Sequence, residues 1–189
     1  MKNNQRSKTA ELALNGLLIA IVFISTYFIQ FQLPFSANGG LVHVGNVALF
    51  TIAIVFGPRR GAIAGAFGMG LFDILSGWFV WAPFTFIVRG VMGFIIGMIA
   101  QKGKESPQKS VLFSVIAILV SSVWMIAGYY ATEVILYGNL LAPLNSVPGN
   151  ITQITIGLMA AVPLSLSLRK LSLNFDDDSK STYKTQTEA

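Results

Sequence analysis

The sequence predicts an all-α integral membrane protein, a six-transmembrane-helix bundle with its N and C termini in the cytoplasm. Three observations lead there. Of 189 residues, 53% are hydrophobic and 11% charged, at a mean hydropathy of +0.66, whereas a soluble domain carries about a quarter charged residues. Apolar stretches of about 20 residues recur, each long enough at about 1.5 Å per residue to cross about 30 Å of hydrocarbon. Apart from Arg89, lysine and arginine are confined to the two terminal segments and alternate connections between those stretches.

Spans are expected at 10–31, 45–57, 60–77, 82–101, 110–137 and 147–168. The first follows MKNNQRSK and resembles a signal peptide, but it is too long for an h-region and lacks a small-x-small cleavage site, so it reads as a retained helix. The second is short, and the third is rich in small residues. Pro58, Pro83, Pro107 and Pro148 fall at or near span boundaries, where a missing N–H costs least. Residues 1–9 therefore form a cytoplasmic N-terminal segment and 10–170 a membrane domain. The segment 171–189 contains NFDDDSKSTYKTQTEA, polar and without apolar periodicity, and reads as a disordered cytoplasmic tail.

Charge placement sets the orientation. Lys2, Arg6 and Lys8 precede span one, and Arg59 and Arg60 separate spans two and three. Lys102, Lys104 and Lys109 separate four and five, while Arg169, Lys170, Lys180 and Lys184 follow six. All of these fall on one side of an alternating bundle, and the connections 32–44, 78–81 and 138–146 contain none, which puts that side in the cytoplasm. The net charge of +5 is thus a matter of topology, and no nucleic-acid partner is expected. Arg89 is the one basic residue left unexplained.

Asp73, Arg89 and Glu133 are ionisable groups inside or at the edge of spans, all in the outer half. Charges in hydrocarbon cost several kcal/mol unless paired or hydrated, so they face the bundle interior or a wet cavity. Asp73 and Arg89, on consecutive antiparallel helices, are expected to form an ion pair, either purely structural or also touching a ligand. His43 and Asn46 in NGGLVHVGN, Trp78 and Trp81 in SGWFVWAP, Tyr129, and Asn150 and Gln153 in LNSVPGNITQ add uncharged polar and aromatic groups. Such walls suit a heterocyclic small molecule. The tryptophans read first as an interfacial belt, and the asparagines serve equally well as helix caps.

Small residues recur at spacing four: Gly57, Gly61 and Gly65; Ala62, Ala66 and Gly70; Gly93 and Gly97; Gly16 and Ala20. They allow helices to approach closely, within this chain or, on span one, against a partner. No metal site is expected from a single histidine and zero cysteines. The chain is not read as an enzyme. It holds no G-x-S-x-G or H-E-x-x-H, and its nearest approach to a phosphate loop, GMIAQKGKE at 97–105, has one residue too many and an acid in place of the hydroxyl. Uphill transport would draw on an ion gradient or on another polypeptide.

The succession GGLVHVGN, FGPRRGAIAGAFGMGLFDILSG, WAPFTFIVRGVMGFIIG and SVPGNITQITIGLMAAVPL resembles the substrate-binding membrane subunits, or S components, of energy-coupling factor (ECF) vitamin transporters. Within these it is most similar to the riboflavin, hydroxymethylpyrimidine and pyridoxine group. The likeness covers roughly residues 10–170. It implies a subunit of a prokaryotic cell membrane that captures a vitamin or vitamin precursor from outside, pyridoxine or hydroxymethylpyrimidine first and riboflavin as another option. Partners implied are a transmembrane scaffold and two ATPase subunits, so that ATP is used by the partners and this chain holds no cofactor of its own. The resemblance places His43, Asn46, Arg89, Tyr129, Glu133, Asn150 and Gln153 at the substrate, with Asn46 where relatives often have aspartate. Glu133 and Asn150 would hydrogen-bond ring substituents, Tyr129 would stack, and Arg89, held by Asp73, would meet the ligand's polar end. Gly16 and Ala20 match the family's docking motif, with Gly16 in place of alanine. The alternative is a stand-alone ion-coupled secondary transporter of a small heterocyclic solute, with Asp73 or Glu133 carrying the proton.

Overall fold

The computed structural model describes residues 8–32 and 41–187, with side chains over 8–31 and 41–170. Lys2 and Arg6, and the side chains of Lys180 and Lys184, lie outside that description. The described residues form six α-helices: α1 (Lys8–Phe28), α2 (Gly45–Phe56), α3 (Pro58–Leu75), α4 (Ala82–Ala100), α5 (Pro107–Tyr137) and α6 (Val147–Thr187). Short 3-10 turns at Gln101–Gly103 and Ala142–Ser146 lead into α5 and α6.

Four stretches among the described residues are long and apolar enough to cross a membrane: Lys8–Phe28, Ala82–Gly103, Pro107–Tyr137 and Ala142–Lys170. The other two helices were also expected as spans and differ for separate reasons. At 12 residues, α2 reaches only about 18 Å. In α3, Arg59, Arg60 and Asp73 stand among alanines and glycines and lower its hydropathy.

Each boundary has a local cause. Gly57 has φ 89°, left-handed backbone that favours glycine, and Pro58 then opens α3 at its first turn, so α2 and α3 are joined through one residue. Ser106 caps α5, its hydroxyl accepting from the Lys109 N–H at 3.3 Å, with Pro107 in the first turn. Past Tyr137, Gly138 at φ 64° ends the helix. Beyond the expected end of span six, α6 continues as helical backbone through the polar tail to Thr187, a stretch without the glycine or proline that would stop it.

Beyond Phe28 the expected first span gives way to a strand. Strand β1 (Gln30–Gln32) pairs antiparallel with β2 (Leu41–His43), Phe31 opposite Val42. The alternation Gln-Phe-Gln favours extended backbone over another helical turn, and the Val44 N–H donates to the Ile29 carbonyl at 3.0 Å to close the hairpin base.

α2 occupies the middle of the bundle, with α1, α3, α4 and α6 packed around it. Apart from Asn46 and Thr51 it is apolar, and eight of its 12 residues are buried, the pattern of a helix with no solvent-facing stripe. The most extensive helix pairing is α3 with α4. There a Cβ on Gly61 would lie 2.7 Å from the Gly93 carbonyl oxygen, and one on Gly65 2.7 Å from that of Arg89; backbones approach this closely only without side chains between them. Outward, Leu12, Leu17 and Phe28 of α1 and Leu112, Leu119 and Val123 of α5 are exposed. An apolar exterior of this kind belongs in lipid.

Candidate ligand-binding site

Helix direction gathers chemistry at one end of the bundle. α3 and α5 begin beside Arg59, Arg60 and Lys109 and end at Asp73 and Glu133, whereas α4 and α6 run the opposite way. The basic residues therefore collect at one end, and a recess opens at the other. Thirteen residues line it: Leu41 and His43 from β2, Phe72 and Asp73 from α3, Trp78 and Trp81 from the α3–α4 connection, Thr85 and Arg89 from α4, Tyr129 and Glu133 from α5, Ser146 from the turn, and Asn150 and Gln153 from α6. It encloses about 570 Å³ of atom-free space, its open mouth included.

Helical spacing explains which side chains meet. Trp81, Thr85 and Arg89 are four apart, as are Met125, Tyr129 and Glu133, so each set forms one stripe on its helix. Asn150 and Gln153, three apart, share a face of α6. Where the stripes of α4 and α5 meet, Arg89 Nε donates to the Tyr129 hydroxyl at 2.9 Å, and Arg89 Nη1 donates to Asn46 Oδ1 at 2.7 Å. The Met125 sulfur lies 3.2 Å from the same nitrogen. The guanidinium carbon stands 5.1 Å from the Tyr129 ring centroid, and the Tyr129 hydroxyl is 3.3 Å from that of Thr85.

The expected ion pair between Asp73 and Arg89 is not formed. Among the described residues, the carboxylates within 4 Å of a basic group are Glu11, at 3.9 Å from Arg60, and Glu105, at 2.5 Å from Lys109. Asn46 and Tyr129 occupy the guanidinium instead, because α2 brings the Asn46 amide against α4. Asn46 is thereby neither a helix cap nor a lining residue; it is fully buried and reaches the recess through Arg89. The other six expected substrate residues, His43, Arg89, Tyr129, Glu133, Asn150 and Gln153, all line the recess. Gly16 and Ala20 lie on α1 away from it, and nothing stands within 4 Å of where a Gly16 Cβ would be.

Glu133 accepts from the Ser146 hydroxyl at 2.9 Å. Gln153 Nε2 donates to the Leu41 carbonyl at 2.5 Å and fastens the hairpin to α6. Burial, reinforced by the charge of Arg89, pushes the His43 imidazole down to about 3, so the ring is neutral near pH 7. Four buried polar atoms on these residues have no hydrogen-bond partner: His43 Nδ1, Asn46 Nδ2, Asp73 Oδ2 and Gln153 Oε1. Nearly all buried polar atoms in proteins are paired; three of these four, on His43, Asp73 and Gln153, belong to residues that line the recess, while Asn46 lies behind it.

Four lining residues were not anticipated: Leu41, Phe72, Thr85 and Ser146. The signal for Thr85 was its place one turn before Arg89 and one turn after Trp81; for Ser146 the sequence offered none. Trp78 and Trp81, expected first as belt residues, also wall the recess, Trp81 with its ring centroid 6.3 Å from that of Tyr129. Asn139 Oδ1 accepts from the N–H groups of Leu141 and Ala142, and Tyr130 donates to the Leu140 carbonyl, so both serve the connection to α6.

Apolar helices with a small amphipathic recess at one end of their bundle define a membrane protein. A family model described as ECF-type riboflavin transporter, S component, matches residues 6–170, and the chain belongs to that family, one of transporter subunits and not of enzymes. A Lactococcus lactis subsp. cremoris protein named thiamine precursor transporter HmpT is 27% identical over 165 residues, 87% of this chain and 91% of that one. An uncharacterised protein of Pyrococcus woesei is 31% identical over 117 residues, 62% of this chain and 74% of its own length. The solved structure of the S component of a bacterial ECF transporter matches with a TM-score of 0.64 at 22% identity, covering 89% of this chain and 98% of that one. It shares the fold.

Proposed function

We propose that this chain is the substrate-capture subunit of an ATP-driven ECF-type importer. In this reading all six helices cross the plasma membrane of a prokaryote, both termini are cytoplasmic, and the recess receives a small vitamin or vitamin precursor from the outer side. A transmembrane scaffold and two ATPase subunits supply the energy, ATP being their cofactor, and Gly16 and Ala20 on the open face of α1 form the docking surface. The recess itself carries this reading: aromatic walls with unpartnered buried polar atoms on His43, Asp73 and Gln153. Family membership supports it, and so does the named role of the Lactococcus relative in transporting a thiamine precursor. Pyridoxine and hydroxymethylpyrimidine are the first choices of ligand, with riboflavin, the family's named substrate, as the alternative.

Within the recess, Glu133 and Asn150 hydrogen-bond ring substituents, the ring lies against the aromatic wall that includes Tyr129, and Arg89 is oriented by Asn46. The test is to purify the full chain in detergent, identify any co-purifying small molecule by mass spectrometry, and titrate the three candidates by calorimetry. At least one should bind with Kd below about 1 μM, or about −8 kcal/mol. Absence of both a co-purifying molecule and measurable binding would sink the capture role.

A further inference from the structure

We propose that Thr85 is a positioning residue of the recess: with Tyr129 it forms a relay of two hydroxyls that joins Arg89 to Asp73 and holds both charged groups in place for a ligand. This rests on the capture reading above and deepens it.

The orientation of Thr85 sets it apart. Thr26, Thr132, Thr152 and Thr155 turn their hydroxyls back onto the carbonyl four residues earlier in their own helices, the habitual bond of a helical threonine. Thr85, on α4 and 2% exposed, instead reaches across to α5, where its hydroxyl lies 3.3 Å from that of Tyr129. It also stands beside the Asp73 carboxylate of α3, close enough to donate to it. One short side chain thus meets polar groups of both neighbouring helices.

The chemistry of the two ends fixes the direction of the chain between them. A guanidinium has only donors, so the Tyr129 oxygen accepts from Arg89 Nε, at 2.9 Å. The phenol's own proton is then left to donate, and the Thr85 oxygen accepts it. An ionised carboxylate can only accept, so the Thr85 proton goes to Asp73. Every donor from Arg89 to Asp73 points the same way, an arrangement in which each bond polarises the next. The two charges compensate one another through the hydroxyls, without the direct pair in which each would use up the other's bonding capacity. Asp73 Oδ2 has no other partner, and both charged residues line the recess. A ligand that fills the recess excludes the water that could stand in for a missing hydroxyl, so a broken relay weakens binding more than it weakens the fold.

The test is calorimetry on the full chain in detergent with three probes, hydroxymethylpyrimidine, pyridoxine and riboflavin. It compares the wild type with Thr85→Val, Thr85→Ser, Tyr129→Phe and the double variant Thr85→Val/Tyr129→Phe. For the probe that the wild type binds most tightly, Thr85→Val, equal in shape but without the hydroxyl, should lose about 10-fold in affinity, and Thr85→Ser, which keeps it, should stay within about 3-fold of the wild type. Once Tyr129→Phe has cut the chain, adding Thr85→Val should cost less than about 2-fold more. Wild-type affinity in Thr85→Val, an equal loss in Thr85→Ser, or losses that multiply in the double variant would overturn the proposal. Should Thr85→Val fail to fold, Thr85→Ala, which also lacks the hydroxyl, takes its place. Melting of the same variants without ligand gives a second cycle: the shifts of the two single variants should exceed, when summed, the shift of the double variant, and full additivity overturns the relay. Binding of none of the three probes to the wild type removes the capture reading and leaves that melting cycle to decide the relay.

Discussion

Arg89 is 3% exposed and carries its charge without a carboxylate within ion-pairing distance. Its neighbours are an amide oxygen, a phenol oxygen and an aromatic face, all of which match a planar fork of donors better than a point charge. Arg89→Lys keeps the charge but cannot reach Asn46 and Tyr129 together, so ligand affinity should fall by about 10-fold or more in calorimetry, in line with the loss of a charge-assisted hydrogen bond. Glu133→Ala should cost a similar factor, and undiminished affinity would remove Glu133 from the ligand's contacts. The sequence made Arg89 conspicuous as the basic residue that topology left over. It could not show its partner, because Asp73 lies on the adjacent helix in sequence order, whereas Asn46 arrives from α2 through tertiary packing alone.

Among elements, the contrast between two glycine faces is the most telling. Gly61 on α3 sits against Ala53 and Gly93, and an added Cβ would lie 2.7 Å from each of their nearest atoms. Backbone cannot yield as a flexible side chain can, so Gly61→Leu should destabilise the bundle by about 1–3 kcal/mol or more, visible as a lower melting temperature in detergent. Gly16 on α1 has open space around it, so Gly16→Leu should leave melting and ligand binding unchanged. If that face docks the coupling module, uptake by cells should nevertheless be lost; normal uptake would place the docking surface elsewhere. Spacing-four glycines were readable in both helices, yet only the fold separates an internal seam from an open face. The helices themselves were legible because apolar length and boundary prolines are local signals. The β1–β2 hairpin was not: three-residue strands carry too little pattern, and their pairing depends on a contact across the 33–40 segment.

For the whole molecule, the two ends of the bundle differ in a way that bears on mechanism. The recess end has an open mouth, although unpartnered buried polar atoms occur at both ends, His43 Nδ1 at one and Arg169 Nε at the other. At the far end, Arg169 Nη1 donates to the Ser110 hydroxyl at 2.6 Å, and its Nη2 donates to the Ile54 carbonyl, which also accepts from Gln101 Nε2 at 3.0 Å. These bonds tie α6, the first turn of α5 and the 3-10 turn after α4 to the last turn of α2 and satisfy a carbonyl that the helix leaves without an internal partner. A stand-alone carrier would have to break this tie in every cycle to open its inner side, whereas a capture subunit that hands its ligand over as part of a larger assembly keeps its bundle closed there. Purified protein in liposomes should therefore bind the ligand yet fail to accumulate it under an imposed pH gradient without ATPase partners. Gradient-driven accumulation that Asp73→Asn or Glu133→Gln abolishes would instead make this an ion-coupled carrier, with one of those carboxylates moving the proton.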